Sequence, residues 1–332
     1  LTYPTDFVWR GLPSLRDAGG GEYAQPQILF WNDYENRGGE NEWHFALNNL
    51  GKQERDHYDT YYTHGASSGL GNGLGGRATT DQLLGYDDLL YTSGRFSSGT
   101  ISNGDGTNQG DAGDDVGVLT GWFEDGGKDA FFTGNSLIFD LATAGGLTTF
   151  LNTFIGVQYQ AENVYPLIGS QPNPTVKAMP SDPVFFNADQ WIAFGGCPWQ
   201  NQFDAVYPAS GATRLAEFLN ASGSSQWTYS AATLFPNATF GSRVITMPYD
   251  FMFIYTDPDE SVKAPAGLSA RARVLKDVLN YFGVPDTPGD ASGTPDALTF
   301  ATRSYPNPFN PTCKIEYTMP KTGHLSVKVY NV

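Results

Sequence analysis

The first half of the chain alternates short apolar runs with amphipathic stretches. The apolar runs, which end on small or polar residues, lie at 27–33, 58–63, 88–94 and 129–135. Such runs are typical of strands buried in a parallel sheet. Residues 42–50 and 116–123 carry apolar side chains at helical spacing and are followed by glycine. This alternation predicts an α/β domain with a flavodoxin-like, doubly wound, mostly parallel sheet.

The same pattern returns near residue 243. Residues 243–248 form an apolar run that predicts a strand. Residues 269–282 show the clearest helical periodicity, with Ser269 as an N-cap and Gly283 as a stop. Between these halves, residues 155–240 are rich in Pro, Asn, Gly and aromatic residues, which predicts an irregular insertion of short strands and long loops.

Composition changes mark the predicted domain boundaries. Residues 284–300 are dominated by Pro, Gly, Asp, Ser and Thr, which is typical of a linker. After it the apolar period becomes two, at 313–319 and 324–330, with a predicted hairpin turn at 320–323. The predicted order is therefore an N-terminal arm (1–25), the α/β domain (26–283), the linker (284–300) and C-terminal strands (301–332).

The C-terminal strands contain a recognisable motif. Its parts are Tyr305-Pro306-Asn307-Pro308-Phe309-Asn310-Pro311, Ile315-Glu316-Tyr317, Met319-Pro320 and Val329-Tyr330-Asn331. The pattern resembles the start of the C-terminal sorting domain of type IX secretion cargo and of the related immunoglobulin-like domain of the flagellar hook-capping type. The resemblance implies an exported protein and a β-sandwich of about seven strands.

The sequence stops at Val332, before the remaining strands of such a sandwich. Two strands by themselves are marginally stable in water. Either further strands are absent from this sequence, or the two strands pair with the main domain or with a neighbouring chain.

The α/β region resembles the class I glutamine amidotransferase-like and caspase-like hydrolases. The resemblance rests on the strand ends Trp31-Asn32-Asp33, Tyr91-Thr92-Ser93-Gly94 and Thr133-Gly134-Asn135, together with the closing helix. It is an analogy of fold and implies no activity.

Three residues are candidates for nucleophilic catalysis. The related hydrolases place a Cys at a strand end beside a His that activates the thiol. Here the fourth strand ends at Gly134-Asn135-Ser136 without a Cys, and Cys197 lies in the predicted insertion. His64 paired with Cys197 or Ser136 would form a hydrolase site, but a buried Cys, a loop His and a helix-capping Ser are the favoured interpretation.

A polar crevice is predicted where the parallel strands end. In a doubly wound sheet, ligands bind beyond the carboxyl ends of the strands. Asp33, Ser93, Arg95 and Asn135 follow predicted strands and are expected to meet there. Turn and helix-cap roles are the favoured interpretation for each of them.

An acidic, glycine-rich loop is the most plausible metal site. Its oxygen-bearing residues are Asn103, Asp105, Asn108, Asp111, Asp114 and Asp115. Calcium binds six to eight such oxygens on a flexible loop. The spacing is not that of an EF-hand, because the terminal Glu is absent. Calcium binding and a solvated acidic loop both remain open.

Charge and composition narrow the partners. A net charge of −16 disfavours nucleic acid and anionic lipid, which bind basic surfaces. No stretch is apolar for long enough to span a bilayer, and the chain begins at Leu1, which predicts a mature protein without its leader. Cys197 and Cys313 match no zinc spacing; a bridge between them is the alternative to two free thiols.

Two functions follow from the sequence. The first is a secreted, cell-surface structural or adhesive protein, such as a filament or sheath subunit, that assembles with copies of itself through its C-terminal strands. The alternative is a secreted hydrolase of the peptidase or amidase type. Low charge and 14% aromatic residues favour a protein buried against neighbours, and therefore the first.

Overall fold

The computed structural model separates the chain into two compact units, Leu1–Pro288 and Gly289–Val332. The structure describes residues 12–19, 22–33, 39–63, 73–95, 99–105, 113–143, 147–193, 202–256, 267–285, 301–305 and 314–318.

Fourteen of the described strands belong to the first unit. They are β1 (Arg16–Gly19), β2 (Glu22–Ala24), β3 (Ile28–Asn32), β4 (Tyr58–Tyr62), β5 (Asp88–Thr92), β6 (Asp129–Thr133), β7 (Val157–Ala161), β8 (Thr175–Ala178), β9 (Gln190–Ala193), β10 (Ala205–Pro208), β11 (Thr213–Leu219), β12 (Ser225–Asn237), β13 (Ser242–Met247) and β14 (Ile254–Thr256).

The described α-helices are α1 (Glu40–Asn49), α2 (Leu74–Arg77), α3 (Thr80–Leu83), α4 (Asp115–Glu124), α5 (Leu137–Thr143), α6 (Thr148–Phe150) and α7 (Ala270–Phe282). A π-helical turn, Leu151–Ile155, continues α6, and 3-10 turns cover Tyr165–Ile168 and Phe251–Phe253. None of the described helices is long and apolar enough to cross a membrane.

One half of the central sheet is parallel, as the alternation of strands and helices predicts. Its order is β4-β3-β5-β6-β13, with every neighbouring pair parallel. Along the chain this is second, first, third, fourth, fifth, which is the strand order of flavodoxin-like sheets. The direction of winding reverses between β3 and β5, so the strand-end loops diverge there.

The other half of the sheet is antiparallel, and here the sequence-based prediction is wrong. The order continues from β13 through β12, β11, β8 and β9 to β14, and all five of these pairings are antiparallel. Residues 155–240 therefore build part of the main sheet instead of an irregular insertion, and the ten-stranded sheet is mixed. Proline, asparagine and register shifts within β11 and β12 obscure their strand periodicity.

Two apolar clusters cover the two faces of the sheet. On the face of α1 and α7, Phe30, Trp43 and Phe251 pack together, and the Trp43 and Phe251 rings stack 4.1 Å apart. On the opposite face, α4 contributes Leu119 and Trp122. The strongest helix prediction is confirmed: Ser269 caps α7 by accepting from the main-chain N of Ala272, and Gly283 ends it at φ +80°.

Both ends of the chain form two-stranded ladders. β1 and β2 pair antiparallel, so the predicted N-terminal arm contains a hairpin. In the second unit, β15 (Ala301–Tyr305) pairs antiparallel with β16 (Lys314–Thr318). The predicted strand at 324–330 lies outside the described residues, and the immunoglobulin-like sandwich stays a prediction.

An acidic pair lies at the amino ends of three neighbouring strands. Asp88 on β5 is in register with Asp129 on β6, which is in register with Arg243 on β13. Arg243 Nε donates to Asp129 Oδ1 at 3.0 Å, and its Nη2 donates to the carbonyl of Phe282 at 2.8 Å. The guanidinium thus joins the sheet to the carboxyl end of α7. Burial, followed by the charges of Asp129 and Asp87, raises the pKa of Asp88 from 3.8 to about 8.

We predict that Asp88→Asn removes a pH dependence of stability. The folded protein holds the Asp88 proton more tightly than the unfolded chain, so the free energy of unfolding falls as pH rises from about 4 to about 8. The contribution is at most about 1.4 kcal/mol per pH unit. Urea unfolding across this range measures the free energy of unfolding of both proteins. The value for Asp88→Asn should increase relative to that of the parent protein as pH rises. The exposed Asp81→Asn is the control, and parallel curves for Asp88→Asn would contradict the assignment.

Candidate functional site

Seven polar residues meet where the parallel strands end, at the place where doubly wound sheets bind ligands. We call them the strand-end cluster: Asp33, Thr92, Ser93, Thr133, Asn135, Ser136 and Asp250. All seven are buried, and none is more than 4% exposed. The cluster therefore has the position of an active site without the solvent access of one.

Asp250 is the centre of the cluster. It follows β13 and caps the 3-10 turn by accepting from the main-chain N of Met252 at 2.9 Å. Its other carboxylate oxygen accepts from the hydroxyl of Thr92 on β5, and the hydroxyl of Thr133 on β6 lies 3.5 Å away. Its main-chain N donates to Oδ1 of Asn135 at 2.9 Å. One aspartate thus joins the ends of three strands.

The charge of Asp250 is opposed by its burial. Burial raises the pKa of Asp250, while the hydrogen bonds from Thr92 and from the Met252 main chain lower it. A carboxylate in this setting is stabilised by its donors and not by water. Its hydrogen-bonding capacity is engaged within the protein.

Gly134 lets the ends of β5 and β6 approach each other. A Cβ atom at Gly134 would lie 1.9 Å from Oγ of Ser93, far inside van der Waals contact. The main chains also bond there: Ser93 N donates to the carbonyl of Thr133 at 3.2 Å, and Asn135 N donates to the carbonyl of Gly94 at 2.9 Å. The hydrogen bonding between β5 and β6 thus continues past Thr92 and Thr133, the last paired residues of the two strands.

Ser136 has the backbone geometry of an elbow but no access to solvent. Its φ is +55°, which is unusual for a residue other than glycine and marks a strained strand-to-helix turn. Its Oγ is buried and has no hydrogen-bond partner among the described residues. The following helix is capped by Asp204, whose Oδ2 accepts from Ile138 N at 2.8 Å. Ser136 therefore does not cap α5 with its side chain, contrary to our expectation.

The remaining hydrolase candidates lie outside the described residues. The structure does not describe His64, Cys197 or Cys313. The catalytic pairs His64–Cys197 and His64–Ser136, and the Cys197–Cys313 bridge, consequently stay predictions.

The predicted crevice is only partly the observed one. Asp33, Ser93 and Asn135 do lie at the same edge, and Asp33 Oδ2 accepts from the hydroxyl of Tyr91 at 2.6 Å. Arg95 is exposed and is not among the buried residues of the cluster. Sequence analysis missed Asp250, because a Pro-Tyr-Asp sequence after a strand carries no motif that distinguishes it from a turn.

The described part of the predicted calcium loop uses its acids internally. Asp114 caps α4 by accepting from Gly117 N at 2.8 Å, and Asp115 accepts from Gly75 N at 2.7 Å and Ser102 N at 3.0 Å. The Asn103 side chain accepts from the main-chain N of Asp105 at 3.2 Å.

Asn108 and Asp111, the other two predicted calcium ligands, lie outside the described residues. Within the part that the structure describes, no group of three or more His, Cys, Asp or Glu residues is arranged to hold a metal ion. Calcium binding by the loop therefore stays a prediction.

Comparisons with known proteins find likenesses among solved structures only. No protein-family model and no curated protein matches the chain. The solved structure of the cytoplasmic protein STM3548 from Salmonella typhimurium matches with a TM-score of 0.48 and 10% sequence identity, over 77% of this chain and 98% of that one.

The expected location is contradicted by this comparison. The sequence predicts a secreted, cell-surface protein, whereas the matching protein is described as cytoplasmic.

We predict that Gly134→Ala destabilises the fold and that Ser93→Ala relieves much of the loss. The new methyl group would overlap Ser93 Oγ, and overpacking of this kind costs about 1–3 kcal/mol. Once the Ser93 hydroxyl is removed, the new methyl group at position 134 lies 3.2 Å from the Cβ atom of residue 93. This is a tight contact that small shifts accommodate. Urea unfolding of both single variants and the double variant measures the coupling. If Gly134→Ala lowered the free energy of unfolding equally with and without Ser93→Ala, the proposed contact between the two residues would be contradicted.

Proposed function

We propose that this protein is a non-catalytic structural or adhesive protein that assembles with copies of itself. The observation that carries the proposal is the burial of the strand-end cluster. In a doubly wound enzyme this edge is open to substrate. Here Asp250 uses the strand ends to bond the sheet together, so surface contact is what the fold offers to a partner.

The C-terminal unit supports a specific mode of assembly. Its described part is the two-stranded ladder of β15 and β16, and such a ladder alone is marginally stable in water. A strand that adds to the sheet of a neighbour gains main-chain hydrogen bonds and buried area.

The charge of the two units also favours association between copies. Gly289–Val332 holds four Lys and Arg residues against three acids, whereas Leu1–Pro288 holds fifteen against thirty-two. The weakly basic unit of one copy would therefore be attracted to the acidic unit of another.

The alternative function, a hydrolase, has the φ of Ser136 in its favour. A nucleophile elbow holds its serine in a strained turn of this kind. Against it, the elbow serine must expose its oxygen to substrate, and the Ser136 side chain is fully buried. We therefore favour assembly over hydrolysis.

We predict that removing residues 289–332 abolishes self-assembly. The mass of the full chain, measured by light scattering, should rise with concentration, and negative-stain images should show oligomers or filaments. The truncated chain should stay monomeric, because the donor strands are gone. Circular dichroism and the urea midpoint establish that it is folded.

Full-length variants provide the matched controls. Arg303→Pro in β15 removes one strand N–H and should weaken assembly, whereas Ala291→Pro in the predicted linker should not. Unchanged assembly after truncation, or a full chain that is monomeric at every concentration, would refute the proposed function.

A further inference from the structure

A concave site lies on the first unit, away from the strand-end cluster. It is a pocket of about 900 Å³ between the N-terminal hairpin, the open side of β4 and the α2–α3 segment. Its wall includes Leu29 of β3 and residues 59–62 of β4, so it extends along most of β4. Pockets for small organic ligands span roughly 300–1,000 Å³.

The wall of the pocket is held together by a buried carboxylate. Asp59 Oδ2 accepts from the hydroxyl of Tyr86 at 2.6 Å and from the main-chain N of Ser14 at 2.8 Å. These two bonds fix the N-terminal segment and the turn before β5 to the edge strand β4. The pocket is thus a built feature, since its walls come from separate segments joined by a buried charge.

Apolar surface lines much of the pocket. The apolar lining residues are Leu12, Leu15, Leu29, Leu74, Ala78 and Leu83. Leu15 is 64% exposed at the rim. The ring of Tyr61 adds a flat, half-buried surface, with its hydroxyl donating to the carbonyl of Gly73 at 3.1 Å.

Three arginines surround this apolar surface. Arg16, Arg55 and Arg77 all line the pocket and are exposed. They are three of the eleven arginines in a chain of net charge −16. Glu54, Asp56 and Asp59 also line it, so the pocket holds three guanidinium groups and three carboxylates. Asp59 is buried and bonded to Tyr86 and Ser14, so it does not pair with these arginines.

The backbone places one of these arginines under strain. Arg55 has a φ of +76°, and its main-chain N donates to the carbonyl of Tyr58 at 2.6 Å. Such strain in a residue other than glycine is frequent at binding sites. The electrostatic effect of these cations is seen at the neighbouring His57. Burial lowers the pKa of His57 most, and the charges of Lys52 and Arg16 lower it further.

We propose that this pocket binds a small aromatic anion. The ring would lie on Tyr61 and the leucines, and a carboxylate, phosphate or sulfonate would accept hydrogen bonds from Arg16 and Arg55. The donor fork of a guanidinium group pairs with two oxygens of a carboxylate or phosphate, and the group retains its charge at every relevant pH. This site is independent of the proposed assembly through the C-terminal unit.

A matched pair of fluorescent probes tests the proposal. 8-Anilinonaphthalene-1-sulfonate is an aromatic anion, and N-phenyl-1-naphthylamine is the same ring system without the sulfonate. The full-length protein should bind one equivalent of the anionic probe at least about 10-fold more tightly than the neutral one, since one charge-assisted contact contributes about 1.5–3 kcal/mol. Fluorescence titration and calorimetry give both affinities.

Variants assign the site. Arg16→Gln with Arg55→Gln should lower the affinity for the anionic probe about 10-fold and leave the neutral probe unchanged. Lys177→Gln, which removes an exposed cation on β8, seven strands away in the sheet, is the control. Ala78→Trp should fill the pocket and weaken both probes, with the urea midpoint as the test of folding.

Three results would overturn the proposal. They are equal affinity for the two probes, equal losses in the arginine variant and in Lys177→Gln, and undiminished binding in a folded Ala78→Trp variant. The last result would place the probe elsewhere on the molecule.

Discussion

The buried carboxylate of Asp250 is the interaction on which the arrangement of this fold depends. It accepts from Thr92 on β5 and from the turn that follows it, and its main chain donates to Asn135 after β6. β13, the strand that leads to Asp250, is the last strand of the parallel half and pairs with the first strand of the antiparallel half. A buried charge without donors would be strongly destabilising, so these bonds and the strand positions support each other.

This constraint has a consequence for function. Polar groups at the strand ends of an α/β sheet can bind a ligand or bond to each other, but a group cannot do both at once. Here Asp250, Asn135 and Thr92 bond to each other, and Gly134 lets the chain after β6 pack closely against Ser93. The opposite end of the sheet carries the Asp88–Asp129–Arg243 row, which joins strands to α7. The C-terminal ladder and the pocket beside β4 lie outside both of these polar groups, and our two proposals concern these two surfaces.

The sequence predicts the parallel half of the sheet well and the rest poorly, for physical reasons. Apolar runs such as Ile28–Asn32 and the capped, periodic helix Ala270–Phe282 are set by local burial patterns, so periodicity finds them. The long strand Ser225–Asn237 is exposed along its first residues and buried later, and its pairing with β11 shifts register, so no single period describes it. Thr92 and Asn135, which join Asp250 to the other strands, lie more than 100 residues away along the chain, and such long-range pairing leaves no local signal.

A double-mutant cycle on Thr92 and Asp250 tests the central claim most directly. Thr92→Val and Asp250→Asn each keep the shape of the side chain while removing the donor or the charge. Urea unfolding of the two single variants, the double variant and the parent protein gives their coupling energy. We predict a coupling of about 1.5–3 kcal/mol, the range for a hydrogen bond to a charged group. Losses that add to within about 0.5 kcal/mol would show that the two residues act independently and would contradict the account.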